Sequence, residues 1–497
     1  MTTTSASAAT APIKHPDRFF IDGEWAVPSG GSFLEVLDSN TEDLYARVAA
    51  AEETDVDRAV SSARRAFDNG SWTSLTHEER ASYLRDMARH IETKSDELAD
   101  IWARESGTVI GFARYGGAHG ASVLNYYADL ASTYPWEEPM ESMVAPFGLL
   151  VREPVGVVVA IVPWNSPLPI ALYKLAPALV AGCTVLLKAP PEAPGAAYIL
   201  AEAAEAAGLP RGVLNVLTAD RDVSELFVTD HRIDKVAFTG STAVGRRIAS
   251  IMGERIGRYT LELGGKSAAV ILDDADLDTA ARTLANAECM MNGQVCSSLT
   301  RLIVTSTRHD EFVERLATYF SQKKVGSSLD ETTELGPLAM ARQRDRVESY
   351  IARGVSEGAQ LVSGGGRPEG FDRGYFIEPT VFAKVDNSYA IAQEEIFGPV
   401  LSVLPAADEA DAIRIANDTI YGLNASVFTA DVDRARHVAG QLRSGTVGHN
   451  DMRNDFGIAF GGFKQSGIGR EGGREGLLPY LEVKTVLLDG VPERYAV

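Results

Sequence analysis

The sequence predicts an α/β protein with a doubly wound parallel sheet, a second α/β domain and a small β arm outside both. Three observations lead there. Five strand-like runs, at 156–162, 183–189, 213–219, 235–241 and 259–265, the first of them continuously apolar, alternate with helical stretches. Such runs are what strands buried on both faces require, and βαβα alternation builds a parallel sheet. A second alternation begins near 267–278 and continues through 301–306 and 401–406. Two further strand patterns, at 147–156 and 481–490, belong to neither series; exposed strand edges of this kind need a partner, and a second subunit would serve.

Taken in order, residues 1–14 are small and polar, without an apolar signal core, and read as a frayed tail over 1–15. The stretch 18–30 alternates and ends in turn residues, as a short hairpin does. Thr54 and Asp57 are spaced as a capping pair for a helix carrying Val56, Ala59, Val60, Ala63 and Phe67, which Asn69-Gly70 ends. Thr76 and Glu79 cap the next, with Leu84, Met87, Ala88 and Ile91 on one face. After the strand at 156–162, Pro163 stops the run. Helical stretches follow around 172–180 and from Pro194 to Ala207, where Gly208 and Pro210 end the second. The expected division is 16–127 with 152–263 as one domain, 264–455 as a second, and 128–151 with 480–497 as the arm.

Composition narrows the function classes. The 497 residues are 45% hydrophobic and 23% charged, with a formal net charge of -21. That acidity opposes binding to phosphate backbones, so no nucleic-acid partner is expected. No apolar run approaches the ~18 residues of a membrane span, so no membrane partner is expected either. Three cysteines, Cys183, Cys289 and Cys296, argue against a disulfide scaffold and for a reducing, cytoplasmic setting.

Several stretches carry chemistry. "NGQVC" (292–296) sets Cys296 in a polar loop, either as a buried small side chain or as a thiolate nucleophile. "FTGSTAVG" (238–245) follows a strand and opens a helix whose free N–H groups suit a phosphate. The middle glycine of the usual dinucleotide pattern is absent, so an ordinary strand–helix turn explains it as well. "LELGG" (261–265) puts Glu262 in an apolar strand, as a desolvated general base or, more economically, as a partner of Lys266. "PWNSP" (163–167) offers the Asn165 amide to a developing oxyanion, although turn asparagines often bond only their own backbone. Lys188 comes at the carboxyl end of its strand, where a ribose or a 2′-phosphate could be held, although a solvated surface lysine explains it as well. "EEIFGPV" (394–400) pairs two carboxylates before a turn. Histidines or further acids at ligand spacing are missing there, so no metal is expected.

The order of "PWN", "LLKAP", "FTGSTAVG", "LELGGKS", "NGQVC", "EEIFGPV" and "FGGFKQSGIGRE" resembles the NAD(P)-dependent aldehyde dehydrogenase superfamily, over roughly 19–486. The resemblance implies an aldehyde dehydrogenase-like α/β fold with a small β oligomerisation arm, assembled as a homodimer or homotetramer. It implies oxidation of a small-molecule aldehyde to the acid through a cysteine adduct and a thioester. Cys296 becomes the nucleophile, Glu262 the base for water, and Asn165 with the Cys296 N–H the oxyanion hole. Lys174, Glu471 and Asn450 resemble positions that orient the site and relay protons. The implied cofactor site comprises Ile161, Pro163, Trp164, Lys188, Pro191, Glu192, Phe238, Gly240, Ser241, Val244, Leu263, Gly264, Glu395 and Phe397. In it Lys188 and Glu395 hold riboses, Ser241 meets the pyrophosphate and Phe397 packs near the nicotinamide.

Departures from the pattern matter as much. Pro191 stands where NAD-preferring members carry a glutamate, and the acid comes one residue later, as Glu192. NAD is the expected cofactor, with NADP left open. The implied substrate pocket includes Ser166, Ile170, Met290, Val295, Ser297, Asn450 and Phe460. Ser166 and Met290 replace bulkier or aromatic residues, which points to a wide, adaptable apolar pocket for medium-length aliphatic, terpenoid or aromatic aldehydes. The alternative is a coenzyme A-acylating relative or a thiol esterase on the same fold, against which an intact Glu262 argues.

Overall fold

The computed structural model describes residues 10–496. Its first sheet has eight strands, and five of them, Leu214–Thr218, Thr184–Ala189, Val157–Ile161, Lys235–Thr239 and Arg258–Glu262, lie side by side and parallel. All residues of Val157–Ile161, Thr184–Ala189 and Leu214–Thr218 are buried. That is why their sequence shows no alternation: helices cover both faces. The chain starts at Val157–Ile161, builds outward through two strands, then returns to the other flank with Lys235–Thr239. A crevice therefore opens at the carboxyl ends of Val157–Ile161 and Lys235–Thr239, where the strand order reverses.

The hairpin Phe19–Ile21/Glu24–Ala26 closes one edge of this sheet. The other is closed by Gly467–Ile468, antiparallel to Arg258–Glu262. Residues 456–479, which the sequence assigns to no domain, thus return to the first sheet. The second sheet has seven strands, six of them parallel neighbours and one, Gln360–Ser363, antiparallel at its edge. Leu481–Leu488 and Glu137–Met140 flank Phe147–Pro154 in an antiparallel three-stranded sheet. The two unassigned strand patterns therefore pair with each other. Val483 and Leu487 on this arm are 62% and 50% exposed.

Local signals vary in how they map. Thr76 and Glu79 form the expected reciprocal box, with Glu79 N–H donating to Thr76 Oγ1 at 3.2 Å and Thr76 N–H to Glu79 at 2.7 Å. The helix Glu53–Asp68 begins earlier than Thr54 and Asp57 suggest, because Glu52 and Asp55 form its box instead. The helix expected around 172–180 is Pro167–Ala181; Pro167 occupies its first turn, where a missing N–H costs nothing. The frayed tail lies outside the described residues through 9. From Ala11 onward it is packed: Ala11 is buried and Lys14 N–H donates to Glu202 at 3.1 Å. Among the described residues no helix is long and apolar enough to cross a membrane.

Candidate active site

Cys296 reaches the crevice on a loop that the sequence builds from three residues. Met291, Asn292 and Gly293 all take left-handed backbone conformations, with φ of 51°, 61° and 71°. Asparagine and glycine tolerate that region; methionine does so only when its neighbours hold it. The side chain of Asn292 supplies the hold. Its amide donates to Gly107 O at 2.7 Å and Pro337 O at 2.8 Å, and its oxygen accepts Gly336 N–H at 2.6 Å. Gln294 adds a donation to Ser106 O at 3.1 Å and accepts Ala339 N–H at 2.9 Å.

Glu262 ends its strand on the opposite wall. It is buried, and neither carboxylate oxygen has a hydrogen-bond partner among the described residues. Burial, then the negative charge of Glu471, holds its pKa well above the usual carboxylate range; the Lys174 and Arg470 cations oppose the shift. Lys266, offered as its partner by the sequence, is buried elsewhere, its ammonium without a hydrogen-bond partner among the described residues. Lys174 and Glu471 make a fully buried ion pair, and Lys174 also donates to Thr239 Oγ1 at 2.6 Å. Gly264 and Gly265 follow Glu262 because nothing larger fits. A Cβ on Gly264 would lie 2.4 Å from the Glu395 carboxylate, and one on Gly265 2.3 Å from Cys296 O.

Asn165 is buried and donates one amide hydrogen to Gln294 O at 2.8 Å. Its second hydrogen remains for a ligand in the cavity that Asn165 lines. The Cys296 thiol is half-buried, and burial, with Glu395 and Glu262 nearby, pushes it up to about 12. Cys183 and Cys289 are packing residues, as expected, with thiols raised by burial to about 11 and 12.

Two cavities of about 470 Å³ each meet at Cys296, Glu262, Asn165, Ile170 and Thr239. The first runs along the strand ends past Pro163, Trp164, Gly240, Ser241, Leu263, Gly264, Glu395 and Phe397. Phe397 has a φ of 65°, and its carbonyl accepts Gln343 at 2.7 Å; its ring stands edge-on to Trp164 at 5.4 Å. Glu395 accepts Gly265 N–H at 3.1 Å, and burial lifts its pKa to about 7. Lys188, its pKa lowered to about 8 by burial, and Ile161 end neighbouring strands beside this cavity. Pro191 follows Lys188, and Glu192 pairs with Arg342 of the second domain. Six expected residues fall outside its lining: Ile161, Lys188, Pro191 and Glu192 lie at or past the ends of the neighbouring strands, the Phe238 ring lies in the core, filling the space beside Gly240, and Val244 packs on the same core.

The second cavity holds Ser166, Ile170, Met290, Val295, Ser297 and Phe460, as expected. Asn450 is not part of it. Its oxygen accepts Thr429 N–H at 3.0 Å and its amide donates to Thr429 O at 2.8 Å, so it ties down the turn after a strand. Asn454 takes the place instead, donating to Ser297 Oγ at 2.9 Å. Trp102, Phe112, Tyr115, His119, Tyr173, Met452 and Phe456 also line it. The sequence reading missed them, since aromatic and methionine residues at these spacings look like core.

The thiol thus lies where a crevice at a sheet's switch point meets an apolar chamber, opposite a buried carboxylate that has no hydrogen-bond partner among the described residues. A sequence model of the aldehyde dehydrogenase family matches residues 25–486. Geranial dehydrogenase of Castellaniella defragrans is 44% identical, over 95% of this chain and 98% of its own length. The structure of a Mycobacterium tuberculosis aldehyde dehydrogenase complexed with NAD+ superposes with a TM-score of 0.94 at 43% identity, covering 99% of this chain and all of that one. A cysteine-to-alanine mutant of aldehyde dehydrogenase C from Pseudomonas syringae, in complex with NAD+ and octanal, gives 0.92 at 38%, covering 97% and 98%. The chain belongs to the aldehyde dehydrogenase family, and it is an oxidoreductase that converts aldehydes to carboxylic acids.

Proposed function

We propose that this enzyme oxidises apolar aldehydes of medium length, with NAD as cofactor, through Cys296. The observation that carries the reading is the meeting of the two cavities at a single sulfur, with Glu262 and Asn165 beside it. The crevice fits a dinucleotide. Gly240 and Ser241 line it at the N-terminus of the helix Thr242–Glu254, whose first N–H groups can meet a pyrophosphate. Glu395 and Lys188 would hold the riboses, and Phe397 with Trp164 would flank the nicotinamide. A bound nicotinamide supplies the hydride acceptor.

The side chains do the rest. Cys296 passes its proton to the ionised Glu262 carboxylate, which sheds it to solvent before hydrolysis, and the sulfur adds to the aldehyde carbonyl; the oxygen's new charge collects on the Asn165 amide and the Cys296 N–H. Departure of hydride leaves a thioester on the sulfur. Glu262, ionised, removes a proton from water as that water attacks the thioester, and the acid leaves as the thiolate is restored. Lys174 and Glu471 bias the charge of Glu262 from behind. A carboxylate left without protein partners supports water, rather than coenzyme A, as the acyl acceptor.

The chamber favours the substrate class. Trp102, Phe112, Met290, Met452 and Phe456 present apolar surface, and burying one methylene is worth about 0.8 kcal/mol, roughly fourfold in kcat/KM. Geranial and octanal, named for two relatives, are compounds of this kind. The exposed apolar residues of the arm support a homo-oligomer, and three free cysteines support a reducing, cytoplasmic setting. The test is nicotinamide reduction without coenzyme A, across straight-chain aldehydes from two to ten carbons. The reading requires turnover, rising with chain length and abolished in Cys296→Ala. Turnover that needs coenzyme A, or that favours the shortest aldehyde, would refute it.

A further inference from the structure

The crevice has a far end, and its charges are arranged unusually. Glu262 ends one strand, and Lys188 ends the strand three positions along the sheet. At about 4.8 Å per strand, those ends are roughly 14 Å apart. A dinucleotide whose nicotinamide lies at Cys296 therefore carries its adenosine toward Lys188. Just past Lys188 the chain runs through Pro191 to Glu192. Glu192 reaches across the crevice to Arg342, at the start of the helix Ala341–Glu357. Arg342 itself lines the cofactor cavity, and its side chain is 68% exposed, so its guanidinium is open to a ligand.

We propose that the Glu192–Arg342 ion pair sets the enzyme's discrimination at the 2′ position of the cofactor's adenosine ribose. This rests on the dinucleotide reading of the crevice. A guanidinium is always charged and matches a phosphate with two parallel N–H donors. Free, Arg342 would welcome a 2′-phosphate. Held by Glu192, one of its donors is engaged and its charge is countered, so an incoming phosphate dianion must compete with a carboxylate and then sit beside it. Asp220, whose charge also acts on Lys188, adds to the repulsion. Discrimination thus comes from cancelling a cation across the crevice, rather than from an acid on the turn at position 191.

The pair can be tested without nicotinamide chemistry. Adenosine 2′,5′-bisphosphate and adenosine 5′-monophosphate differ only in the 2′-phosphate. Their dissociation constants, measured by calorimetry on the full-length protein, give a ratio that isolates it. In Glu192→Gln this ratio should shift toward the bisphosphate by about tenfold or more. Adding Arg342→Ala to Glu192→Gln should remove the gain. A smaller shift, or one that survives loss of Arg342, overturns the proposal. Failure of the unmodified enzyme to bind NAD+ or NADP+ at all would instead defeat the dinucleotide reading.

Discussion

Glu262 has no hydrogen-bond donor on its carboxylate among the described residues, and sits between an ion pair behind and a sulfur in front. Desolvation and Glu471 raise its pKa above the ordinary 4.5, so it is protonated, and idle as a base, at pH values where a solvated glutamate is already ionised. On the proposed mechanism the thioester-hydrolysis rate falls as pH drops through this raised pKa. Glu471→Gln removes the negative neighbour while keeping the Lys174 cation, which lowers the pKa of Glu262. The acid limb of the hydrolysis rate, read in single-turnover experiments, should move to lower pH in that variant; an unmoved or upward-shifted limb would contradict the charge assignment. Asn165 offers a separate check. Truncation to alanine removes one oxyanion donor, and kcat should drop by about 10²–10³, with the dissociation constant for NAD+ much less affected.

The loop before Cys296 and the strand end at Glu262 touch through backbone. Gly265 lies so close to Cys296 O that a methyl group would sit 2.3 Å from it. Gly265→Ala must push the loop and its sulfur away from Asn165. The variant is expected to lose at least about 10²-fold in kcat, since small misplacements cost that much, while its thiol still reacts with a small alkylating reagent. A kcat near that of the unmodified enzyme would mean that the contact is slack.

Elements of this kind were unevenly legible beforehand. The buried parallel strand Val157–Ile161 announces itself as an unbroken apolar run, and the Thr76–Glu79 box is local chemistry. The Glu52–Asp55 box hid behind an equally spaced pair two residues on. Asn450 and Asn454 are the same residue type four positions apart, and only tertiary contacts tell which one meets Ser297. Residues 456–480 gave no periodic signal because glycines with positive φ at 461, 467, 469, 472 and 473 carry the chain through irregular turns. Family resemblance supplied Cys296, Glu262 and Asn165 together; no spacing along the chain could, since they lie on three separated segments.

At the scale of the whole molecule, the three-stranded arm stands outside both sheets with apolar side chains in solvent. Val483 and Leu487 are over half or half exposed, and Met143 almost wholly so. Such residues are disfavoured on a free surface when they cluster. Val483→Asp with Leu487→Asp should therefore lower the solution mass, measured by light scattering, from a multiple of 53.3 kDa toward that value. An unmodified enzyme that already scatters as a single chain would remove the arm's assigned role.

The two chambers share almost nothing except the thiol and its immediate neighbours. On the proposed reading, oxidant and fuel therefore occupy separate chambers, and the oily product can depart while the spent carrier is still seated. A greasy amide that plugs the chamber should compete with aldehyde yet leave the dinucleotide's saturation curve without a competitive pattern, because both guests can be housed at once.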